Sequence, residues 1–252
     1  MKPAQLFDLT EKCILITGAS SGLGAHFARV ASDAGAAVVL AARREKPMIE
    51  LKEALVESGG RAYTVAMDVC DEASIKVALD KIEEEFASVD VLVNNAGISI
   101  TKPFLETRNE DWHAMLNTNL IGLADVARFT AERMKARGDG GSIINVGSIL
   151  GLRAGNMAAA YAASKAGVDA ITRAAAIALA ALLFWGLSPD DWSREPHWVR
   201  AIYAAVTVLV MGYPCALGMA TPLALIRGEN SDLLTREAAR RMREIHPEMI
   251  YA

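Results

Sequence analysis

Cys13-Ile14-Leu15-Ile16-Thr17 followed by Gly18-Ala19-Ser20-Ser21-Gly22-Leu23-Gly24 is the stretch that decides the fold. The first five residues are a short, nearly uninterrupted apolar run, which reads as a strand buried on both faces. After the glycines a helical pattern runs through Phe27, Val30 and Ala31 and stops at Gly35. Strand, glycine turn and helix in this order is an arrangement that holds a pyrophosphate. The glycines let the backbone approach closely, and the helix N-terminus offers unpaired N–H groups and a positive dipole end. A glycine turn in isolation is often only a tight turn; the strand before it and the helix after it favour nucleotide binding. Gly18, Ser20, Ser21, Gly22, Leu23 and Gly24 are therefore candidate cofactor contacts.

The alternation continues outward. Ala37 to Ala41 reads as a second strand, followed by Ala42, Arg43 and Arg44. An acidic side chain at this strand end would accept hydrogen bonds from a ribose 2′-OH. Ala42 and Arg43 stand there instead, and a guanidinium suits a 2′-phosphate. NADP(H) is thus favoured over NAD(H) as the cofactor, the alternative being that Arg43 and Arg44 are a solvated strand end. A helix from about Pro47 to Ser58 ends at Gly59-Gly60. A third strand, Ala62 to Met67, leads to Asp68 and Val69, and a helix from Glu72 to Phe86 carries Ile75, Leu79, Ile82 and Phe86 on one side. A fourth strand, Val89 to Val93, runs into Asn94-Asn95-Ala96-Gly97, and residues 110–136 read as one long helix. The fold class expected is α/β: a Rossmann-like, doubly wound parallel sheet.

Chemistry enters further on. Tyr161 and Lys165 are four apart on a helix and share a face. An ammonium beside a phenol favours the phenolate, so such a phenol can exchange a proton with a substrate oxygen near neutral pH. The pairing alone is commonplace, and its bland reading is a half-buried aromatic beside a surface lysine. Ser148 lies upstream, after the apolar run Ile143-Ile144-Asn145-Val146, and Gly151 follows it by three residues.

With the glycine turn, Asp68, Asn94 to Gly97 and Asn119, these residues form an ordered set that resembles the classical short-chain dehydrogenase/reductase family from residue 6 to about 178. The resemblance implies NAD(P)-dependent hydride transfer between a nicotinamide and a small-molecule carbonyl or alcohol substrate. It implies Tyr161 as general acid/base and Lys165 as its activator and a ribose ligand. Ser148 would hydrogen-bond the substrate oxygen, and Asn119 would hold a helix kink and a water of the proton relay. Asp68, with Val69, would meet the adenine, and Asn94, Ala96 and Gly97 would lie against the cofactor. Asp68 also has a structural alternative as a helix N-cap. Members of the family are often oligomers, so a homo-oligomer is an expectation too.

Bulk properties exclude other classes. The 252 residues suffice for one α/β domain, and a net charge of -4 gives no basic surface for nucleic acid. Three cysteines without a CxxC pair are expected as buried free thiols in a reducing cytosol. The N-terminus carries no apolar signal core, so a cytoplasmic location is expected.

The pattern breaks near residue 178. Residues 174–189 and 201–226 contain no charged side chain, and the second run is long enough to span a bilayer. Gly212-Tyr213-Pro214-Cys215-Ala216-Leu217-Gly218-Met219-Ala220-Thr221-Pro222 resembles the metal-site helix of heavy-metal-transporting P-type ATPases, with Tyr213 in place of the first cysteine. The phosphorylation and actuator motifs of such pumps are absent, so no metal site is expected. Three regions are accordingly expected: a dinucleotide-binding and catalytic domain over 1–177, an apolar, mostly helical, foreign-looking segment over 178–228, and an amphipathic helix of a truncated dehydrogenase over 229–252. Residues 174–226 carry a membrane-association expectation, and Val206 to Met211 is an alternative sixth strand. An inactive, nucleotide-binding or membrane-associated chimera is the other reading of the whole chain.

Overall fold

The computed structural model describes residues 8–153 and 155–186, with side chains as far as Ala176 in the last helix. Five parallel strands form one sheet in the order β3-β2-β1-β4-β5. These are β1 (Cys13–Thr17), β2 (Ala37–Ala42), β3 (Arg61–Ala66), β4 (Val91–Asn94) and β5 (Ser142–Asn145). The helices are α1 (Gly22–Asp33), α2 (Glu45–Glu57), α3 (Glu72–Glu85), α4 (Asn109–Leu116), α5 (Leu123–Arg137) and α6 (Ala159–Gly186). Strand order reverses between β1 and β4, which places a crevice beyond their C-terminal ends.

The centre of the sheet follows from sequence. Every residue of β1 and β2 is buried, which is why both read as nearly unbroken apolar runs. Successive side chains point to opposite faces. Cys13 and Leu15 pack with Ile75, Leu79 and Ile82 of α3 and Val126 and Phe129 of α5. Ile14 and Ile16 pack with Ala25, Ala28 and Ala31 of α1 and Met48, Leu51 and Leu55 of α2. The alanine face of α1 lets that helix lie close to the strands that carry the glycine turn.

Several expected boundaries move. β1 spans the five residues expected, whereas β2, β3, β4 and α2 shift by one or two positions at their ends. The expected helix over 110–136 is divided: α4 and α5 flank a π-helical segment, Asn117–Gly122. Asn119 is drawn out of the helix to the backbone of Ile98, and a Cβ on Gly122 would stand 2.5 Å from the Val69 carbonyl oxygen. The wider turn accommodates both contacts. The helix N-cap after β3 is Asp71, whose Oδ1 accepts from the Ala73 N–H at 2.9 Å, and not Asp68. Cys13 is buried as expected, but Cys70 is exposed, with Sγ 3.4 Å from Thr118 Oγ1.

α6 runs without interruption past position 177. Of the expected apolar segment 178–228, only positions 178–186 belong to it; the remainder, Val206 to Met211, Cys215 and the expected helix over 229–252 lie outside the described residues. Among the described residues no helix is long and apolar enough to cross a membrane.

Cys13 carries a pH dependence. Burial, with Asp90 adding to it, pushes its thiol from 9.0 up to about 12, while Arg61 and Arg137 pull the other way. The unfolded chain therefore releases this proton first, and stability falls as pH rises from 9 towards 12. Urea unfolding at pH 8 and pH 10 should show a loss that is smaller in Cys13→Ala by roughly 1 kcal/mol. Equal losses in both proteins would contradict the burial of this thiol.

Candidate functional site

The site begins where β1 ends. Thr17, 1% exposed, turns its hydroxyl towards β4, and Oγ1 accepts from the backbone N–H of Asn95 and of Ala96, each at 3.0 Å. Asn95 answers with its amide, which donates to the Thr17 carbonyl at 3.0 Å. These bonds fasten the two strand ends on either side of the reversal in strand order. The glycine turn is packed to the same limit. A Cβ on Gly18, at φ +67°, would lie 2.8 Å from Ala96 Cα, and one on Gly24 would lie 2.5 Å from the Gly18 carbonyl oxygen. Gly22, at φ +57°, faces open space instead, since a Cβ there would meet nothing within 4 Å.

α1 starts at this turn without a side-chain cap. Ser21 occupies the N-cap position but makes no capping hydrogen bond, and the first turn holds no acidic residue. Its hydroxyl is taken by Arg44, whose Nη2 lies 2.7 Å from Ser21 Oγ and 3.0 Å from Ser20 Oγ. The first N–H groups of a 12-residue helix thus remain available at the groove, as a bound phosphate needs.

A groove of about 540 Å³ runs past these residues. Gly18, Ser20, Ser21 and Leu23 line one end with Arg43 and Arg44; Asp68, Val69 and Cys70 line its side; Ala96, Gly97, Ile98 and Ser99 form its floor; Tyr161 and Lys165 close the other end. Of the expected residues, Gly22, Gly24, Asn94, Asn119 and Ser148 do not line it. Gly24 lies behind the turn. Asn94 is 2% exposed and donates to the Leu123 carbonyl at 3.1 Å and to Asn145 Oδ1 at 3.0 Å. Asp68 closes a local turn, its Oδ1 accepting from the Cys70 N–H at 3.0 Å.

Asn119, fully buried, clasps the extended loop beyond Gly97. Its Oδ1 accepts from the Ile98 N–H at 2.8 Å and its Nδ2 donates to the Ile98 carbonyl at 2.9 Å. The same Nδ2 donates to Ser164 Oγ at 3.0 Å, and Ser164 Oγ donates to the Tyr161 carbonyl at 2.7 Å. Asn119 is therefore a brace between the groove floor and α6. It bonds to backbone 21 positions away rather than within its own helix.

Lys165 is 4% exposed, and its ammonium donates to the Val146 carbonyl at 2.7 Å, 6.0 Å from the centre of the Tyr161 ring. Burial pushes it below the usual lysine range, against a pull from Asp169. Ser148 lies one residue beyond the lining residue Gly147, and its Oγ accepts from the Leu150 N–H at 3.2 Å. Gly151 lets this turn touch α6: a Cβ there would stand 2.9 Å from the Lys165 carbonyl carbon.

Sequence reasoning missed three contributors: Thr17, Asn95 and Arg44. Thr17 and Asn95 stood inside recognised motifs, and a polar residue ending a fully apolar strand was the available signal. The sequence reading places the guanidinium of interest at Arg43, and nothing in the sequence separates it from Arg44.

Fold and groove together define a Rossmann-like α/β architecture with its groove at the reversal of strand order. Residues 12–182 match the short chain dehydrogenase family, and the chain belongs to it. It is 40% identical over 172 residues to a cis-4-hydroxycyclohexanecarboxylate dehydrogenase of Sinomonas cyclohexanicum, covering 68% of each chain. Identity to sulfoacetaldehyde reductase 2 of Chromohalobacter salexigens is 39% over 160 residues; the match spans 63% of either chain, just under two thirds of that relative's length. A crystal structure of a short chain dehydrogenase from Mycobacterium smegmatis superposes with a TM-score of 0.66 at 35% identity, over 68% of this chain and 72% of that one.

Thr17→Val tests the joint at the head of the groove. It leaves two backbone N–H groups without an acceptor, and urea unfolding should report a loss of about 2–4 kcal/mol. A loss below about 1 kcal/mol would contradict the role given to this hydroxyl.

Proposed function

We propose that this chain is an NADP(H)-dependent oxidoreductase that interconverts a small carbonyl compound and its alcohol. The observation that carries the reading is the placement of Tyr161 and Lys165 in the same groove as the glycine turn and the uncapped N-terminus of α1. The residues present fit the dinucleotide. The Gly18 and Gly24 positions admit no side chain, Gly22 opens on free space, and the first turn of α1 is uncapped. Gly18, Ser20, Ser21 and Leu23 would hold the pyrophosphate. Asp68 and Val69 would border the adenine, and Ala96 and Gly97 would lie under the cofactor. Arg43 and Arg44 would meet a 2′-phosphate, which supports NADP(H) over NAD(H). Bound there, the nicotinamide would supply or accept the hydride.

The chain's own residues handle the oxygen and its proton. In reduction, the Tyr161 hydroxyl gives its proton to the substrate oxygen as the carbonyl carbon is reduced; in oxidation it takes that proton back. The Ser148 hydroxyl donates a hydrogen bond to the same oxygen and stabilises charge developing there. Lys165 holds positive charge beside the phenol. Asn119 acts through the backbone it braces, keeping Ile98 and α6 in register. Asn94 does the same for β4 and β5. The substrate is a small carbonyl or alcohol, the class to which the named relatives' substrates belong.

Tyr161→Phe is the test. With NADPH and a panel of aldehydes and ketones, turnover should fall at least about a thousandfold while NADPH affinity stays within about threefold. Full turnover in this variant would overturn the assignment. Saturable NADPH binding with no oxidation on any carbonyl by the native chain would instead mark a nucleotide-binding module.

A further inference from the structure

One half-buried carboxylate behind the groove has no role in the proposed chemistry. Asp169 follows Lys165 by one helical turn, as Lys165 follows Tyr161, so all three lie along one side of α6. Its Oδ2 is buried and has no hydrogen-bond partner among the described residues. Its Oδ1 lies where the chain has a glycine: a Cβ on Gly147 would stand 3.2 Å from it. Gly147 separates Val146, whose carbonyl receives the Lys165 ammonium, from Ser148. A side chain at position 147 would press on the carboxylate, so glycine there makes its room.

We propose that Asp169 is a positioning residue for the Tyr161–Lys165 pair: its carboxylate, seated beside Gly147, is the counter-charge that keeps Lys165 an ammonium against the Val146 carbonyl. The inference rests on the proposed roles of Tyr161 and Lys165. Asp169 and Lys165 make no ion pair, so the half-buried carboxylate acts through space on an ammonium that is itself buried, which weakens screening on that side. An unpartnered buried carboxylate oxygen is costly, and an adjacent buried cation offsets that cost. Burial raises the Asp169 carboxyl, while Arg173 and Lys165 pull it down. Burial likewise lowers Lys165, and Asp169 is the group that opposes this. The other described elements add little. β5, the Ser148–Gly151 turn and the π-helical segment carry no ionisable side chain, and neither Glu110, Asp111 nor His113 of α4 acts on either partner.

The test reads Lys165 directly. The full chain is labelled with lysine carrying ¹³C at Cε, and the Lys165 resonance is assigned by its loss in Lys165→Met. In Asp169→Asn the Lys165 titration midpoint should fall by about half a pH unit or more, roughly a threefold change in proton affinity. Asp169→Glu should bring it back towards the native value, which a merely structural role would not require. If Asp169→Asn fails to fold, Asp169→Ser is read in the same way. A midpoint unchanged in a folded variant overturns the proposal. Because the readout needs neither substrate nor turnover, it stays informative if the oxidoreductase reading fails with Tyr161→Phe.

Discussion

Two backbone N–H groups at the end of β4 point at one hydroxyl at the end of β1, and the groove depends on that convergence. Where a parallel sheet reverses its strand order, the neighbouring loops diverge and leave a crevice. The crevice has a defined shape only if the strand ends are fastened across it. Thr17 Oγ1 does so with Asn95 and Ala96, and Asn95 returns a bond to the Thr17 carbonyl. Gly18 and Gly24 then pack so tightly that no side chain fits. The glycine-turn end of the groove is thus a product of backbone hydrogen bonding, with side chains kept out of its way.

A second brace brings the Tyr161 end of the groove into register. Asn119 ties Ile98 to Ser164, and Ser164 ties back to the Tyr161 carbonyl. Asn94 and Asn145 continue the polar line from Leu123 to Thr172 beneath α6. Asn94 and Asn119 are buried, Asn145 is half-buried, and all three are paired; partnered polar groups of this kind fix geometry more than they add stability. Lys165 completes the frame by bonding the backbone of Val146, one step from the turn that carries Ser148. Tyr161, Ser148 and the groove floor are therefore held by separate elements meeting at one end of the sheet.

Much of this was legible in the chain. β1 could be read to the residue because both faces of the sheet are covered there, so Cys13 to Ile16 had to be apolar and the polar Thr17 marks the end. α3 was legible through Ile75, Leu79 and Ile82, which lie on one face and are all buried. No local pattern marks the π-helical segment; only the family resemblance, which implies a helix kink at Asn119, points to it, and it follows from the reach of Asn119 to Ile98 and the seat of Gly122 on Val69. Arg44 was missed for a related reason. Which of two adjacent arginines turns to Ser20 and Ser21 is set by where β2 ends and α2 begins, and the strand ends one residue later than the pattern suggests. The Asp169–Gly147 contact joins positions 22 apart in sequence and leaves no periodic trace.

The measurement that bears most directly on this account is a titration of the full chain with NADPH and with NADH, followed by nicotinamide fluorescence. Saturable binding of both, tighter for NADPH, is the expected result: the glycine turn and uncapped helix would hold the dinucleotide, and Arg43 and Arg44 would add the 2′-phosphate. Absence of saturable binding for either nucleotide would contradict the reading of the groove.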